Sequence, residues 1–224
     1  MKVTIASALT LAATAQAAVQ GFDISHYQPN VDFAAAKASG ARFVIIKATE
    51  GTSYIDPSFS SHYTGATNAG LIRGGYHFAH PGQTTGAAQA DYFLAHGGGW
   101  SGDGITLPGM LDLESEGSSG ECWGLSASAM VAWIKAFSDR YHSKTGRYPM
   151  LYTNPSWWKD CTGNSNAFVS TNPLVLARYS SSPGTIPGGW PYQTIWQNSD
   201  SYKYGGDSDI FNGSEDNLRK LATG

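Results

Sequence analysis

The stretch GMLDLES, residues 109–115, alternates apolar and acidic side chains. Side chains of a β-strand point to opposite faces in turn, so Leu111 and Leu113 share one face while Asp112 and Glu114 share the other. An unpaired carboxylate is costly to bury. Two acids on one face of an apolar strand therefore indicate either a solvent-facing strand or a functional site, and the spacing alone does not choose between them.

Short apolar runs that end in polar residues recur on both sides of this stretch. The pattern predicts strands at 21–25, 42–51, 71–80, 109–115, 149–154, 173–179, 193–198 and 208–213, and helices at 31–40, 57–70, 86–99 and 126–146. Strands that alternate with helices favour a parallel sheet. We expect the α/β class: a single-domain, irregular, TIM-like β/α barrel with eight strands and fewer than eight helices, since the second half has few helix-like segments.

Residues 1–17 combine Lys2, an apolar run and small residues at Ala15 and Ala17. This is the pattern of a secretory signal peptide, so we predict a mature domain of residues 18–224 that is secreted to the extracellular space. The formal net charge is −3 and no basic run occurs, which argues against a nucleic-acid partner. No further long apolar segment indicates a membrane, and we expect a monomer.

The two cysteines, Cys122 and Cys161, suit an oxidising compartment, and we predict that they form a disulfide; the alternative is two buried free thiols. Asn212 begins the sequon Asn-Gly-Ser and is a candidate glycosylation site. The histidines are scattered, so we expect neither a metal site nor a cofactor.

Polar and aromatic side chains gather at the predicted carboxyl ends of the strands, where barrels of this kind carry their active sites. Crowded carboxylates raise one another's pKa, as a general acid in glycoside cleavage requires, and aromatic rings provide flat platforms for sugars. The strand ends therefore favour a carbohydrate site, and they hold Asp23, Lys47, Glu50, Tyr76, His77, Asp112, Glu114, Tyr152, Arg178, Tyr179, Trp196, Gln197 and Asp209.

Several motifs resemble glycoside hydrolase family 25, the Chalaropsis-type lysozymes. They occur in the family's order and cover nearly all of residues 20–213: GFDISHYQPNVDF (21–33), FVIIKATEGTSYIDPSF (43–59), GGYHFAHP (74–81), MLDLE (110–114), LYTN (151–154), IWQ (195–197) and DSDIFNG (207–213). The resemblance implies an irregular β/α barrel and hydrolysis of bacterial peptidoglycan by an N-acetylmuramidase.

The resemblance also implies roles for single residues. The family's Asp-x-Glu motif falls on Asp112 and Glu114, with Glu114 as proton donor, and its amino-terminal Asp falls on Asp23. A late Asp falls on Asp209, with Asp207 as the fallback. The residues that would line the sugar site or support it are Tyr76, Tyr152, Trp196, Gln197 and Glu50.

The implied reaction cuts the β-1,4 bond from N-acetylmuramic acid to N-acetylglucosamine. Asp112 could attack the sugar directly, or it could stabilise an intermediate formed by the substrate's own 2-acetamido group; acids on one strand face favour the second form. Two other interpretations stay open. A chitinase-like hydrolase would need an Asp where Met110 stands, and a non-catalytic peptidoglycan- or chitin-binding relative would have lost one of the acids.

Overall fold

The computed structural model describes residues 18–224, so the predicted signal peptide lies outside the described residues. The strands are β1 Val19–Ile24, β2 Phe43–Glu50, β3 Tyr54–Ile55, β4 Ile72–Phe78, β5 Met110–Asp112, β6 Met150–Thr153, β7 Leu174–Ala177, β8 Ile195–Ser199 and β9 Asp207–Phe211. The α-helices are α1 Phe33–Ala38, α2 Phe59–Asn68, α3 Gly86–Ala95, α4 Ala127–Thr145, α5 Pro155–Thr162 and α6 Glu215–Thr223.

Eight of these strands close into a barrel, in the ring order β1-β9-β8-β7-β6-β5-β4-β2, with β1 pairing back onto β2. The two-residue β3 only flanks β2. Six helices in the described chain surround the eight strands, which confirms the predicted irregular barrel. Two features differ from the prediction: β9 runs antiparallel to both neighbours, and α5 and α6, which the sequence pattern did not predict, lie in the half expected to have few helices.

Strand β2 shows why apolar runs build this barrel. Phe43 and Ile45 point into the barrel, whereas Val44 and Ile46 pack outward in the apolar layer that also contains residues of α1 and α2. A strand covered on both faces needs apolar residues at every position, so it reads as a continuous run. The next inward position is Lys47, where the apolar interior gives way to charge.

The amino end of the barrel is closed. Because β9 is antiparallel, it ends at the amino ends of the other strands, and α6 follows there with Leu218 and Ala222 in the interior apolar cluster. Helices α3 and α4 cover one outer face through Phe93, Phe137 and Tyr141. The carboxyl end of the barrel stays open. No helix between residues 18 and 224 is long and apolar enough to span a bilayer.

Candidate active site

The stretch GMLDLES, residues 109–115, places Asp112 and Glu114 at the open end of the barrel. Strand β5 ends at Asp112, and Glu114 lies two residues beyond it. Leu111 and Leu113 are both in the outer apolar cluster, so the predicted alternation continues past the end of the strand. Asp112 is buried and Glu114 is half-buried at the rim. The acids therefore face the barrel opening because the leucines anchor the other face.

The direction of β9 decides which late aspartate reaches the rim. Asp207 pairs in register with Asp23, whereas Asp209 pairs with Gly21, deeper in the barrel. Asp209 is only 1% exposed, and Asp207 is half-buried. The prediction of Asp209 at the rim assumed that all strands run parallel and end at the open rim. An antiparallel strand begins at the rim, so Asp207 takes that place and Asp209 lies beneath it.

Asp23, which is half-buried, and Asp209, which is buried beneath it, form a carboxyl pair. Gln197 Nε2 donates to Asp23 Oδ2 at 2.8 Å, and the Gln197 amide is oriented by Tyr152, whose hydroxyl donates to Gln197 Oε1 at 2.9 Å. Among residues 18–224 no donor reaches either oxygen of Asp209. Burial and the Asp23 charge raise the pKa of Asp209 well above its usual range. Burial therefore favours a protonated carboxyl group in this pair, and most strongly at Asp209, the more deeply buried of the two.

Burial raises the pKa of Asp23 to about 8, with Asp207 contributing and the Gln197 hydrogen bond opposing. Burial also raises the pKa of Glu114 to about 7, against the attraction of Lys47. For Asp112 the pKa lies well above the usual range, through burial and then the Glu114 charge. So many acids cannot all be ionised side by side, and with a pKa of about 7 a substantial fraction of Glu114 is protonated near neutral pH.

Glu50 belongs to an ion-pair network at the edge of the acids. Lys47 Nζ lies 2.6 Å from Glu50 Oε2, and His80 Nε2 lies 3.0 Å from Glu50 Oε1 and 3.5 Å from Glu116 Oε2. In the described chain Glu50, His80 and Glu116 are the one His/acid group close enough to hold a metal ion. Lys47 and His80 each lie against one oxygen of Glu50. We therefore interpret Glu50, His80 and Glu116 as a charge-paired group, in which Glu50 supports Lys47.

Two small cavities flank the acids. One, of about 230 Å³, is lined by Glu114, Tyr152, Asn154, Ala177, Arg178 and Tyr179. The other, of about 180 Å³, is lined by Asp23, Ile24, Ser25, Tyr27, Gln28, Tyr76, Gly206 and Asp207. Each is smaller than the ~300 Å³ of a complete small-molecule pocket. The pair therefore suits an extended ligand that crosses the acids. A larger hollow of about 540 Å³ outside the barrel holds one carboxylate, Asp32, which caps α1.

The structure brings Tyr76, Tyr152 and Gln197 to this groove but not Trp196. Trp196 occupies the opposite face of β8 from the buried Gln197, and its Nε1 donates to the backbone oxygen of Arg178 at 2.8 Å. Trp196 thus supports the rim from outside. His77 is a buried core residue, since Thr49 and Gln89 contact its two ring nitrogens at 2.8 and 2.9 Å.

The predicted disulfide is present and holds the segment after Glu114. Cys122 and Cys161 are bonded, which joins this segment to α5. The neighbouring Trp123 donates from Nε1 to the backbone oxygen of Glu114 at 2.9 Å. Both contacts fix the backbone that carries Glu114. Asn212, the candidate glycosylation site, is exposed.

A barrel whose open end gathers carboxyl groups with raised pKa values between two aromatic-lined cavities is typical of a glycoside hydrolase. The model of glycosyl hydrolases family 25 matches residues 22–207, and the chain belongs to this family as a muramidase-type enzyme. The chain is 80% identical to the N,O-diacetylmuramidase of Chalaropsis sp over 92% of this chain and all of that protein. It is 65% identical to the N,O-diacetylmuramidase of Arthroderma benhamiae over 99% and 97% of the two chains.

Among solved structures, the muramidase from Trichobolus zukalii superposes with a TM-score of 0.90 at 69% identity, covering 92% of this chain and 99% of that one. This confirms the fold and the family expected from the motifs. Sequence reasoning gave too little weight to two groove residues. Asp207 needed the direction of β9, and Asn154 follows β6 with no signal beyond its place at a strand end.

Proposed function

We propose that this enzyme hydrolyses the β-1,4 bond between N-acetylmuramic acid and N-acetylglucosamine in bacterial peptidoglycan. Glu114 acts as general acid and Asp112 as its partner carboxylate. The observation that carries the proposal is the buried acid cluster at the open end, in which Glu114 has a pKa of about 7. The relatives from Chalaropsis and Arthroderma are N,O-diacetylmuramidases, which supports the same substrate class.

Glu114 is placed to protonate the leaving sugar oxygen. Its backbone is held by Trp123, and its side chain lines the cavity with Tyr152 and Asn154. The acid form exists at neutral pH because burial disfavours the carboxylate. Once the proton has left, Lys47 stabilises the charge that remains on Glu114, so the same site supports both protonation states.

Asp112 lies below Glu114, on the same face of one chain segment. Direct displacement needs a nucleophile on the face of the sugar opposite the acid, and two adjacent acids on one face approach from one side. We therefore propose that the substrate's 2-acetamido oxygen attacks the anomeric carbon. With the proton of the Asp112–Glu114 pair on Glu114, the Asp112 carboxylate then stabilises the positive charge that develops on the acetamido nitrogen. The side chains of Asp23, Asp207 and Asp209 complete the acidic environment.

The location of the enzyme follows from two observations. The disulfide between Cys122 and Cys161 suits an oxidising compartment, and residues 1–17 have the signal-peptide pattern. We propose that the mature domain, residues 18–224, is secreted and works outside the cell on peptidoglycan, as a monomer, without a cofactor.

Product analysis tests the proposed bond. Purified peptidoglycan is digested with the wild type or with Glu114→Gln, the new ends are reduced with borohydride, and the products are identified by mass spectrometry. We expect reduced N-acetylmuramic acid ends from the wild type and at least 100-fold fewer from the variant, as the loss of a general acid predicts. Reduced N-acetylglucosamine ends would assign the other bond. Binding without any products from the wild type would favour a non-catalytic relative.

A further inference from the structure

One arginine at the groove, Arg178, is not paired with any of the acids in the described chain. Arg178 follows β7, is exposed, and lines the cavity that contains Glu114. Within residues 18–224 it forms no ion pair, whereas Lys47 at the other side of the acids is paired with Glu50. A cation without a protein partner, beside a cluster of carboxylates, is available for an anionic group of the ligand.

The position of Arg178 is fixed from three sides. Its backbone N–H donates to Gln197 O at 3.0 Å, and its own carbonyl accepts from Trp196 Nε1. Its guanidinium lies against Gly184: a Cβ at that residue would come within 1.6 Å of Nη1. Gly184 has φ of +65°, which other residues rarely adopt. The loop around Gly184 therefore forms a surface against which the guanidinium rests.

A second donor faces the same cavity. Asn154 Oδ1 caps α5 by accepting from the Trp157 N–H at 2.9 Å. The cap consumes the carbonyl side of the Asn154 amide and leaves its NH₂ group to donate. Arg178 and Asn154 together offer hydrogen-bond donors on the side of the groove that holds Glu114, whereas the opposite cavity is lined by Asp23 and Asp207.

We propose that Arg178, assisted by Asn154, binds a carboxylate carried by the muramic acid residues of the substrate, and so distinguishes peptidoglycan strands from uncharged chains of N-acetylglucosamine. This inference rests on the proposed function. The two sugars of peptidoglycan differ in the 3-O-lactyl ether of muramic acid, which ends in a carboxylate or continues into a peptide with carboxylates of its own. A planar guanidinium binds such a group through two parallel hydrogen bonds.

Electrostatics makes this contact useful. The groove gathers the carboxyl groups of Asp23, Asp112, Glu114 and Asp207, and each of them that is ionised repels an anionic polymer. Chitin-type chains meet no such repulsion, so without a compensating cation the acids would select against the proposed substrate. Arg178 supplies that compensation at one defined place.

The test compares three soluble substrates: glycan strands with their peptides, strands stripped by an amidase so that the lactyl carboxylate is free, and stripped strands whose carboxylates have been converted to methylamides. The proteins are the wild type, Arg178→Gln, Arg178→Lys and Lys144→Gln. Lys144 is an exposed residue of α4 at the opposite end of the barrel, so its replacement removes one positive charge far from the groove.

We expect the wild type to lose about three- to tenfold in kcat/KM, mainly through KM, when the carboxylates are amidated, as for a partly exposed charge-assisted hydrogen bond. When the carboxylates are amidated, Arg178→Gln should lose no activity and Arg178→Lys should lose part of what the wild type loses. Lys144→Gln should lose as much as the wild type. If the wild type prefers stripped strands to intact ones, the carboxylate that binds Arg178 belongs to the lactyl group. If it prefers intact strands, that carboxylate belongs to the peptide.

The inference is overturned if Arg178→Gln keeps the wild-type preference, or if Lys144→Gln loses it equally. Calorimetric binding of the same strands, with each substitution placed in the Glu114→Gln background, measures the preference without turnover. Should the wild type cut none of the strands, the proposed function fails while this binding comparison still decides the role of Arg178.

Discussion

Lys47 Nζ lies 2.6 Å from Glu50 Oε2, at the point where the apolar interior of the barrel meets the carboxylates. Lys47 is 8% exposed and its ammonium also stands over the Phe78 ring, 4.8 Å from the centroid. The Lys47 charge lowers the pKa of both Asp112 and Glu114, against the effect of burial. Glu50 therefore moderates how strongly Lys47 acts on the catalytic acids.

Replacing Glu50 by Gln should release Lys47 to act more fully on Glu114. Because we propose that Glu114 acts in its acid form, activity should fall as pH rises through its pKa of about 7. A stronger positive neighbour lowers that pKa, and the basic limb of kcat/KM should move down by up to about one pH unit. Rate profiles between pH 5 and 9 measure the shift.

The double variant Lys47→Met/Glu50→Gln is the matched control, since it removes the cation without leaving a buried unpaired carboxylate. Its basic limb should move to higher pH. Movement of both variants in the same direction would show that Lys47 does not set the acidity of Glu114.

Stability should depend on pH through the buried carboxyl pair. The folded pKa of Asp23 is about 8 against an ordinary value of 3.8, and that of Asp209 is also raised. The stability from their protonated forms is complete below about pH 4 and is lost as pH rises towards 8, because the unfolded chain then binds fewer protons than the folded one. We expect the wild type to be less stable at pH 8 than at pH 5.

Asp209→Asn should reduce this difference by about 1–3 kcal/mol, since an amide can donate to Asp23 at any pH. Urea unfolding at pH 5 and pH 8 measures it. Asp207→Asn, at the half-buried rim, is the comparison and should reduce the difference less than Asp209→Asn, since Asp207 raises the pKa of Asp23 less than burial does. An unchanged difference in Asp209→Asn would mean that Asp209 is not the proton carrier.

The same two variants separate the rim acid from the acid beneath it. Asp207 faces the groove and pairs in register with Asp23, so Asp207→Asn should lower kcat by about tenfold or more. Asp209→Asn should cost less, because Asp209 is out of contact with a ligand in the groove. Steady-state rates on glycan strands decide; a greater loss in Asp209→Asn would assign the late catalytic Asp to position 209.

Removing the disulfide should affect both stability and catalysis. Cys122 and Cys161 are 39 positions apart, and a loop of that length predicts a loss of about 3–4 kcal/mol in the free energy of unfolding for Cys122→Ser/Cys161→Ser. Because the bond holds the segment after Glu114, kcat should also fall at temperatures where the variant is still folded. Denaturation curves and rates at 20 °C and 40 °C test this. A stable variant with normal kcat would show that the segment is held by Trp123 alone.

Much of the barrel was predictable because its strands are buried on both faces. The run FVIIKATE and the alternation of LDLE are local patterns, and each fixes which side chains face the barrel opening. Helix α4 was equally readable, from Ser126 at its start to Gly146 at its end.

The remaining features depended on contacts between distant parts of the chain. The direction of β9 is set by pairing with β1, which is far away in sequence. The alternation in DSDIF predicts a strand but does not indicate whether that strand is parallel or antiparallel to its neighbours. Trp196 and Gln197 are neighbours in the chain but lie on opposite faces of β8. Helix α5 contains two tryptophans, and the sequence does not tell whether they line a groove or pack under it; both are buried.

The role of Glu114 is tested most directly by changing the leaving group. A substrate that carries 2,4-dinitrophenolate needs no proton to depart, whereas a glycan strand does. We expect Glu114→Gln to lose about 10²–10⁴-fold in kcat on glycan strands. With the dinitrophenyl substrate the same variant should cleave the bond at nearly the wild-type rate. Equal losses on both substrates would contradict Glu114 as the general acid.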